Sequence, residues 1–127
     1  MFSNVNQGDN IYPNDIDCFD ANNCVFVVEG DTCRILSTTN GGASWTESMH
    51  DTDTACSLVY TVMLSQKETW IGGGHLSALN FEGRFWHSTD GATTWVKDAV
   101  KGLYILDIDM NTLYGYALGL DASGSGA

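Results

Sequence analysis

The stretch Arg34-Ile35-Leu36-Ser37-Thr38-Thr39-Asn40-Gly41-Gly42-Ala43-Ser44-Trp45 aligns without a gap on Arg84-Phe85-Trp86-His87-Ser88-Thr89-Asp90-Gly91-Ala92-Thr93-Thr94-Trp95, every aligned pair lying 50 residues apart. Each copy reads as a hairpin: a β-prone run, Asn or Asp followed by Gly, small residues, then a Trp that starts the next strand. Asn40 and Asp90 can accept hydrogen bonds from main-chain N–H groups across the turn. Gly41 and Gly91 supply backbone angles that a Cβ forbids. Trp45 and Trp95 bring a large ring to bury beside the turn, which fixes the hairpin against its neighbours.

Upstream of the first copy, Asp15-Ile16-Asp17-Cys18-Phe19 alternates polar and apolar as a half-buried strand does, and Asp20-Ala21-Asn22-Asn23 is turn chemistry. Cys24 to Val28 returns as a strand, and Glu29-Gly30-Asp31 turns the chain into the repeat hairpin. The second unit follows the same order, with strands over Leu58 to Leu64 and Glu68 to Ile71, a longer connection over Gly72 to Gly83, and a last strand from Thr94 to about Val96. Asp107-Ile108-Asp109 echoes Asp15-Ile16-Asp17 and starts a third unit, which continues through Leu113 to Leu118. The expected organisation is an extension or neighbour-completing strand over 1–14, units over 15–50 and 51–100, the start of a third over 101–120, and a flexible Gly/Ser tail over 121–127.

A four-stranded unit recurring at about 50 residues fits a blade of a β-propeller, built of such sheets in rings of about 4–8. The expected fold is therefore all-β: a propeller fragment of about two and a half four-stranded antiparallel blades. The other blades are expected in the same full-length chain or in an oligomer. Composition agrees, because 14 glycines against one proline and 11% aromatics suit short strands and glycine turns.

The segments Thr38-Thr39-Asn40-Gly41-Gly42-Ala43-Ser44-Trp45 and Ser88-Thr89-Asp90-Gly91-Ala92-Thr93-Thr94-Trp95 resemble the Asp-box, or bacterial neuraminidase repeat, with pattern Ser/Thr-x-Asp-x-Gly-x-Ser/Thr-Trp. Asn40 departs from it in the first copy and Ala92 in the second. Such boxes mark propellers of sialidases, other glycoside hydrolases, sortilin-type receptors and photosystem II stability/assembly factors. The wording around the first box is most similar to the assembly-factor repeats. The resemblance implies that the box sits between the third and fourth strands, usually away from the ligand site, and that Thr38, Asn40, Gly41, Gly42, Ser44, Trp45, Ser88, Asp90, Gly91, Thr94 and Trp95 have structural roles. It further implies a non-catalytic module that binds a protein or glycan partner. The alternative is part of a secreted sialidase-like or other propeller glycoside hydrolase whose catalytic residues lie elsewhere.

The chain offers no catalytic, cofactor or metal set of its own. A sialidase needs an arginine cluster, and Arg34 and Arg84 are the only arginines; each is read as a strand residue pairing with a local acid. Asp107 to Thr112 imitates the start of a calcium loop, but Thr112 stands where Gly is required and Leu118 where Glu is required, so an alternating strand is expected. Asp51-Thr52-Asp53 beside His50 is read as a solvated connection, and Gly72-Gly73-Gly74-His75 as a flexible turn. His75 and His87 have no zinc spacing.

With 16 acids against five bases the net charge is -11, and no basic stripe exists to displace counterions, which disfavours nucleic acid and an anionic membrane surface. Nothing approaches the ~20 apolar residues of a membrane-spanning helix. Four cysteines allow three pairings. Cys18 and Cys24 flank a turn between adjacent strands, within bridging reach, which leaves Cys33 and Cys56. Two disulfides place the chain outside the cell or in an organelle lumen; four buried thiols in a cytosolic core are the alternative.

Overall fold

The computed structural model describes residues 11–30, 32–77, 80–111 and 114–121. These residues are all-β, with strands β1 Ile11–Cys18, β2 Cys24–Gly30, β3 Cys33–Thr38, β4 Thr46–Asp51, β5 Cys56–Met63, β6 Thr69–Ser77, β7 Asn80–Ser88, β8 Val96–Lys101, β9 Leu103–Met110 and β10 Gly115–Asp121. They form antiparallel sheets in the orders β1-β2-β3-β4, β5-β6-β7-β8 and β10-β9, none of them closed. Every neighbouring pair is consecutive in sequence, so each sheet is a meander formed from local hairpins.

The register shows how closely the three sheets repeat one another. The first hairpins close on the pairs Cys18↔Cys24, Met63↔Thr69 and Met110↔Gly115. In each first strand one residue drops out of register four positions before that closing residue: Asn14, Val59 and Leu106. A bulge bends its strand and raises the twist, so all three first strands carry the same bend at the same height. The offset between the first two units is 45 residues through this hairpin and 50 at the boxes, so the second unit holds five more residues, all in the β6–β7 hairpin.

Each sheet uses its neighbour as the cover for one face. Val25, Val27 and Ile35 of the first unit meet Leu58, Ile71 and Trp86 of the second in one buried core. Farther along, Ile105 and Ile108 of the third unit press on Gly72 of β6, and Tyr104 presses on Gly74. Both unit boundaries thus repeat one arrangement, with the β1–β2 or β5–β6 face lying against the first strand of the next unit.

Two disulfides reinforce this scheme. Cys18–Cys24 closes the β1–β2 turn with a Cα separation of 4.0 Å, and Cys33–Cys56 ties β3 to β5 across the unit boundary at 5.8 Å. Two disulfides together with no helix long and apolar enough to cross a membrane among the described residues are consistent with a secreted or extracellular protein.

Several boundaries differ from those read in the sequence. Residues 11–14, read as part of an extension or neighbour-completing strand, belong to β1, and Glu29 and Gly30 continue β2, while Asp31 lies outside the described residues. The fourth strands begin after each tryptophan, and β8 runs on to Lys101. Asp121 ends β10; residues 122–127 and 1–10 are outside the described set.

The largest correction concerns Gly72 to His75, read as a flexible turn within a connection over Gly72 to Gly83: among the described residues β6 and β7 pair from Thr69↔Ser88 to Ser77↔Asn80. The glycines are present because other atoms take the space of a side chain. A Cβ on Gly73 would stand 2.0 Å from the Ser57 carbonyl oxygen, and one on Gly74 would stand 2.2 Å from that of Glu82. Strand glycine marks such close backbone approach as readily as it marks a turn.

Gly73→Ala is therefore expected to lower the unfolding free energy by about 3 kcal/mol, read from urea denaturation midpoints; a loss under about 0.5 kcal/mol would contradict the tight approach. The double variant Cys33→Ala, Cys56→Ala opens a loop with a sequence separation of 23. It should cost about 3 kcal/mol in the same assay, and thiol labelling of the parent should find no free cysteine before reduction.

Candidate functional site

Because every connection within a sheet is a hairpin, the β1–β2, β3–β4, β5–β6, β7–β8 and β9–β10 turns gather at one end, and the β2–β3 and β6–β7 hairpins and the connections between sheets at the opposite end. The two box turns occupy the first end and are built alike. Thr38 Oγ1 donates to Asn40 Oδ1 at 2.9 Å and accepts from the Gly42 N–H at 3.0 Å; Ser88 does the same for Asp90 at 2.9 Å and Ala92 at 3.0 Å. Asn40 Oδ1 accepts from Ser44 N–H at 3.0 Å, as Asp90 Oδ1 does from Thr94 N–H at 2.9 Å. Gly41 and Gly91 hold φ of 69° and 75°, and their N–H groups donate to the carbonyls of Asn22 and Lys67, which occupy matching places in the first turns. Ala92 carries φ 61°, the left-handed conformation that Gly42 adopts in the first copy.

The same end shows how neighbouring units recognise each other. Trp95 Nε1 donates to Ser48 Oγ of the preceding unit at 2.9 Å, whereas the buried Nε1 of Trp45 has no partner among the described residues. Along the first strands, Asp15 and Asp17 accept from the Thr61 and Met63 N–H groups of β5 at 2.9 and 2.7 Å, and Asn14, on the bulge, donates to the Leu58 carbonyl at 2.6 Å. These two acceptors and one donor satisfy backbone groups on the outer edge of β5. Burial, then the carboxylates of Asp107, Asp15, Asp17 and Asp109, push the Tyr60 hydroxyl above its ordinary pKa.

The opposite end carries side chains that the sequence leaves far apart. Asp53, on the connection from β4 to β5, lies 2.6 Å from His75 Nδ1 and accepts from Arg84 Nη1 at 2.9 Å. Arg84 Nε donates to Glu82 Oε1 at 2.8 Å, and Asp51 stands 3.7 Å from its Nη1. Burial opposes ionisation of Asp53, but the bonds from His75, the Ala55 amide and Arg84 prevail and hold its pKa at about 2. Burial would also lower Arg84, yet Glu82 and Asp53 raise it above its ordinary value. Asp51-Thr52-Asp53 is thus part of an ion-pair cluster, not a solvated loop, while His50 faces Glu47 at 3.5 Å. Arg34 pairs with Glu47 at 3.8 Å. Among the described residues no three His, Cys, Asp or Glu side chains are grouped to hold a metal ion.

Beside this cluster opens a groove of about 340 Å³ lined by Tyr12, Glu29, Thr54, Ser57, Leu76 and Tyr104. Ser57 donates to Glu29 at its wall, and burial pushes the Tyr104 hydroxyl above its ordinary pKa against a hydrogen bond with Ser57. The groove draws on all three units. Sequence reading missed it, because Leu76 and His75 fall in the glycine-rich run taken for a turn, and no spacing links Tyr12, Glu29 and Tyr104. No family model, curated protein or solved structure matches this chain.

Asp53 and Asp90 both stand at about 2 in the folded chain against an ordinary 3.8, Asp90 chiefly through the Thr94 hydroxyl and amide. A depressed carboxylate contributes stability that is fully present above the unfolded pKa and lost as pH falls through the folded one. Urea midpoints should therefore fall between about pH 4 and pH 2. Asp90→Asn, which copies Asn40, should fold and show a shallower decline over that window; an unchanged decline would remove Asp90 from this role.

Proposed function

We propose that this chain is a non-catalytic module of an Asp-box propeller that binds a protein or glycan partner in the groove between Glu29, Leu76 and Tyr104, at the end opposite the boxes. The observation that carries this reading is the contrast between the ends. At the box end the polar side chains of the repeat turn inward onto their own turns. At the other end Tyr12 and Leu76 stand exposed over a groove with polar walls, the mixture of apolar anchors and oriented polar groups that binding sites use.

The resemblance to photosystem assembly-factor repeats supports a binding role, and three sheets sharing one bulge and one mode of packing support a propeller fragment. The two disulfides favour a secreted location or an organelle lumen. A net charge of -11 favours a neutral glycan or a basic polypeptide over any polyanion. A hydrolytic role draws no support from the arginines, since Arg84 is held by Asp53 and Glu82.

The test is a screen of the purified chain against neutral-glycan and basic-peptide arrays, followed by titration calorimetry on the best ligand. Tyr12→Ala and Leu76→Ser should each weaken it about tenfold or more, the size of an interface anchor. Retained affinity in both variants would place the partner elsewhere, and turnover of aryl glycosides by the chain would overturn the non-catalytic reading.

A further inference from the structure

We infer that the groove between Glu29, Leu76 and Tyr104 takes the ammonium group of a lysine side chain carried by a partner polypeptide, with Glu29 as the carboxylate that receives it. The inference rests on the groove proposed above as the binding site and names what enters it.

The three first strands supply the groove from one repeat position. Tyr12, Ser57 and Tyr104 each stand six places before the residue that closes the first hairpin of their unit, Cys18, Met63 and Met110 respectively. What differs between the units is the residue paired with that position, which is Glu29 in the first, Gly74 in the second and Leu120 in the third. The first unit alone puts a charge there, and Glu29 is the one charged side chain among the described residues that line the groove.

Charge is sorted within the chain so that this carboxylate keeps no cation of its own. The five basic residues are Arg34, Lys67, Arg84, Lys97 and Lys101, and none lies on β1, β5 or β9. Arg34 pairs with Glu47, Arg84 with Asp53 and Glu82, and Lys97 with Asp51, and no ion pair among the described residues reaches Glu29. The first strands carry Asp15, Asp17, Asp107 and Asp109 instead. Their charges add to burial in raising the Tyr60 hydroxyl, and that of Glu29 adds to burial in raising Tyr104 against its Ser57 hydrogen bond. A cleft walled by one sign of charge concentrates the opposite sign.

The way Glu29 is held selects the kind of cation. Ser57 Oγ donates to Glu29 Oε2, which fixes the carboxylate in the groove wall and occupies one of its oxygens. A guanidinium pairs best through two parallel N–H bonds to two free oxygens, whereas an ammonium is a compact point charge that one oxygen satisfies. Tyr12 and Leu76, 58% and 48% exposed, offer apolar surface on which the aliphatic stem of a lysine lies while its head keeps a polar partner. That surface comes from two different sheets, which suits a polypeptide whose neighbouring side chains cover it.

Backbone amide NMR of the whole chain, titrated with short blocked peptides that carry one central lysine between leucines, reads both the place and the affinity. The lysine peptide should shift the Thr54, Ser57 and Leu76 amides. The same peptide with arginine or acetyl-lysine at its centre, and butylamine alone, should bind about tenfold more weakly or worse. Glu29→Gln, which keeps an acceptor for Ser57, should weaken the lysine peptide about tenfold. Asp98→Asn, which removes an equal charge from the exposed β8, should leave it within about twofold. Circular dichroism checks that both variants fold. No shift at these amides with millimolar lysine peptide, equal losses in the two charge variants, or equal binding of any of the three comparison ligands would overturn the inference. A neutral glycan lost on Tyr12→Ala and Leu76→Ser but indifferent to Glu29→Gln would overturn it and leave the groove as the binding site, whereas ligands indifferent to all three substitutions would remove the groove as well.

Discussion

A twisted sheet has two faces, and in this chain the next sheet covers one of them. That requirement sets the position of everything else. Val25 and Val27 can be aliphatic only because Leu58 and Ile71 meet them, and β5 can lie unpaired along its outer edge only because Asp15, Asp17 and Asn14 reach across to its backbone. The common bulge follows from the same need, since first strands that lie side by side must bend at the same height to keep their neighbours in contact. Cys33–Cys56 fastens the first boundary covalently where β3 meets β5.

The second boundary solves the packing differently. There Gly72 stands where the first unit has Val27, and the bulk comes from the partner side, with Ile105 and Ile108 filling the space over Gly72 and Tyr104 pressing on Gly74. At this position the side-chain bulk that close packing requires comes from β9 instead of β6. This compensation cannot be seen by comparing repeats position by position. It emerges only when the residues of β9 are placed against those of β6.

That difference explains what was legible in the sequence. The box turns were readable because the Asn40 and Asp90 side chains bond residues at most four positions away and Gly41 and Gly91 supply a positive φ of their own. The Cys18–Cys24 bridge was readable for the same reason, and its companion came by elimination. The run Gly72 to His75 misled, since glycine carries the same letter whether it permits a turn or yields space to Ser57 and Ile108. Asp51 and Asp53 misled in a related way: their partner Arg84 is 31 residues beyond Asp53, and no local pattern announces an ion pair at that separation.

Function is tied to the places where the units differ. What repeats in this chain builds turns and boundaries, and its polar atoms are occupied in doing so. What does not repeat is the five-residue lengthening of the β6–β7 hairpin past Leu76; His75 and Leu76, which stand where the first unit makes its β2–β3 connection, lie toward Asp53 and the Tyr104 groove. Leu76 on the lengthened hairpin forms one wall of the groove, so the shape of that wall belongs to this chain and not to the repeat. A reading based on the repeat alone describes the scaffold well and passes over the one wall that distinguishes it.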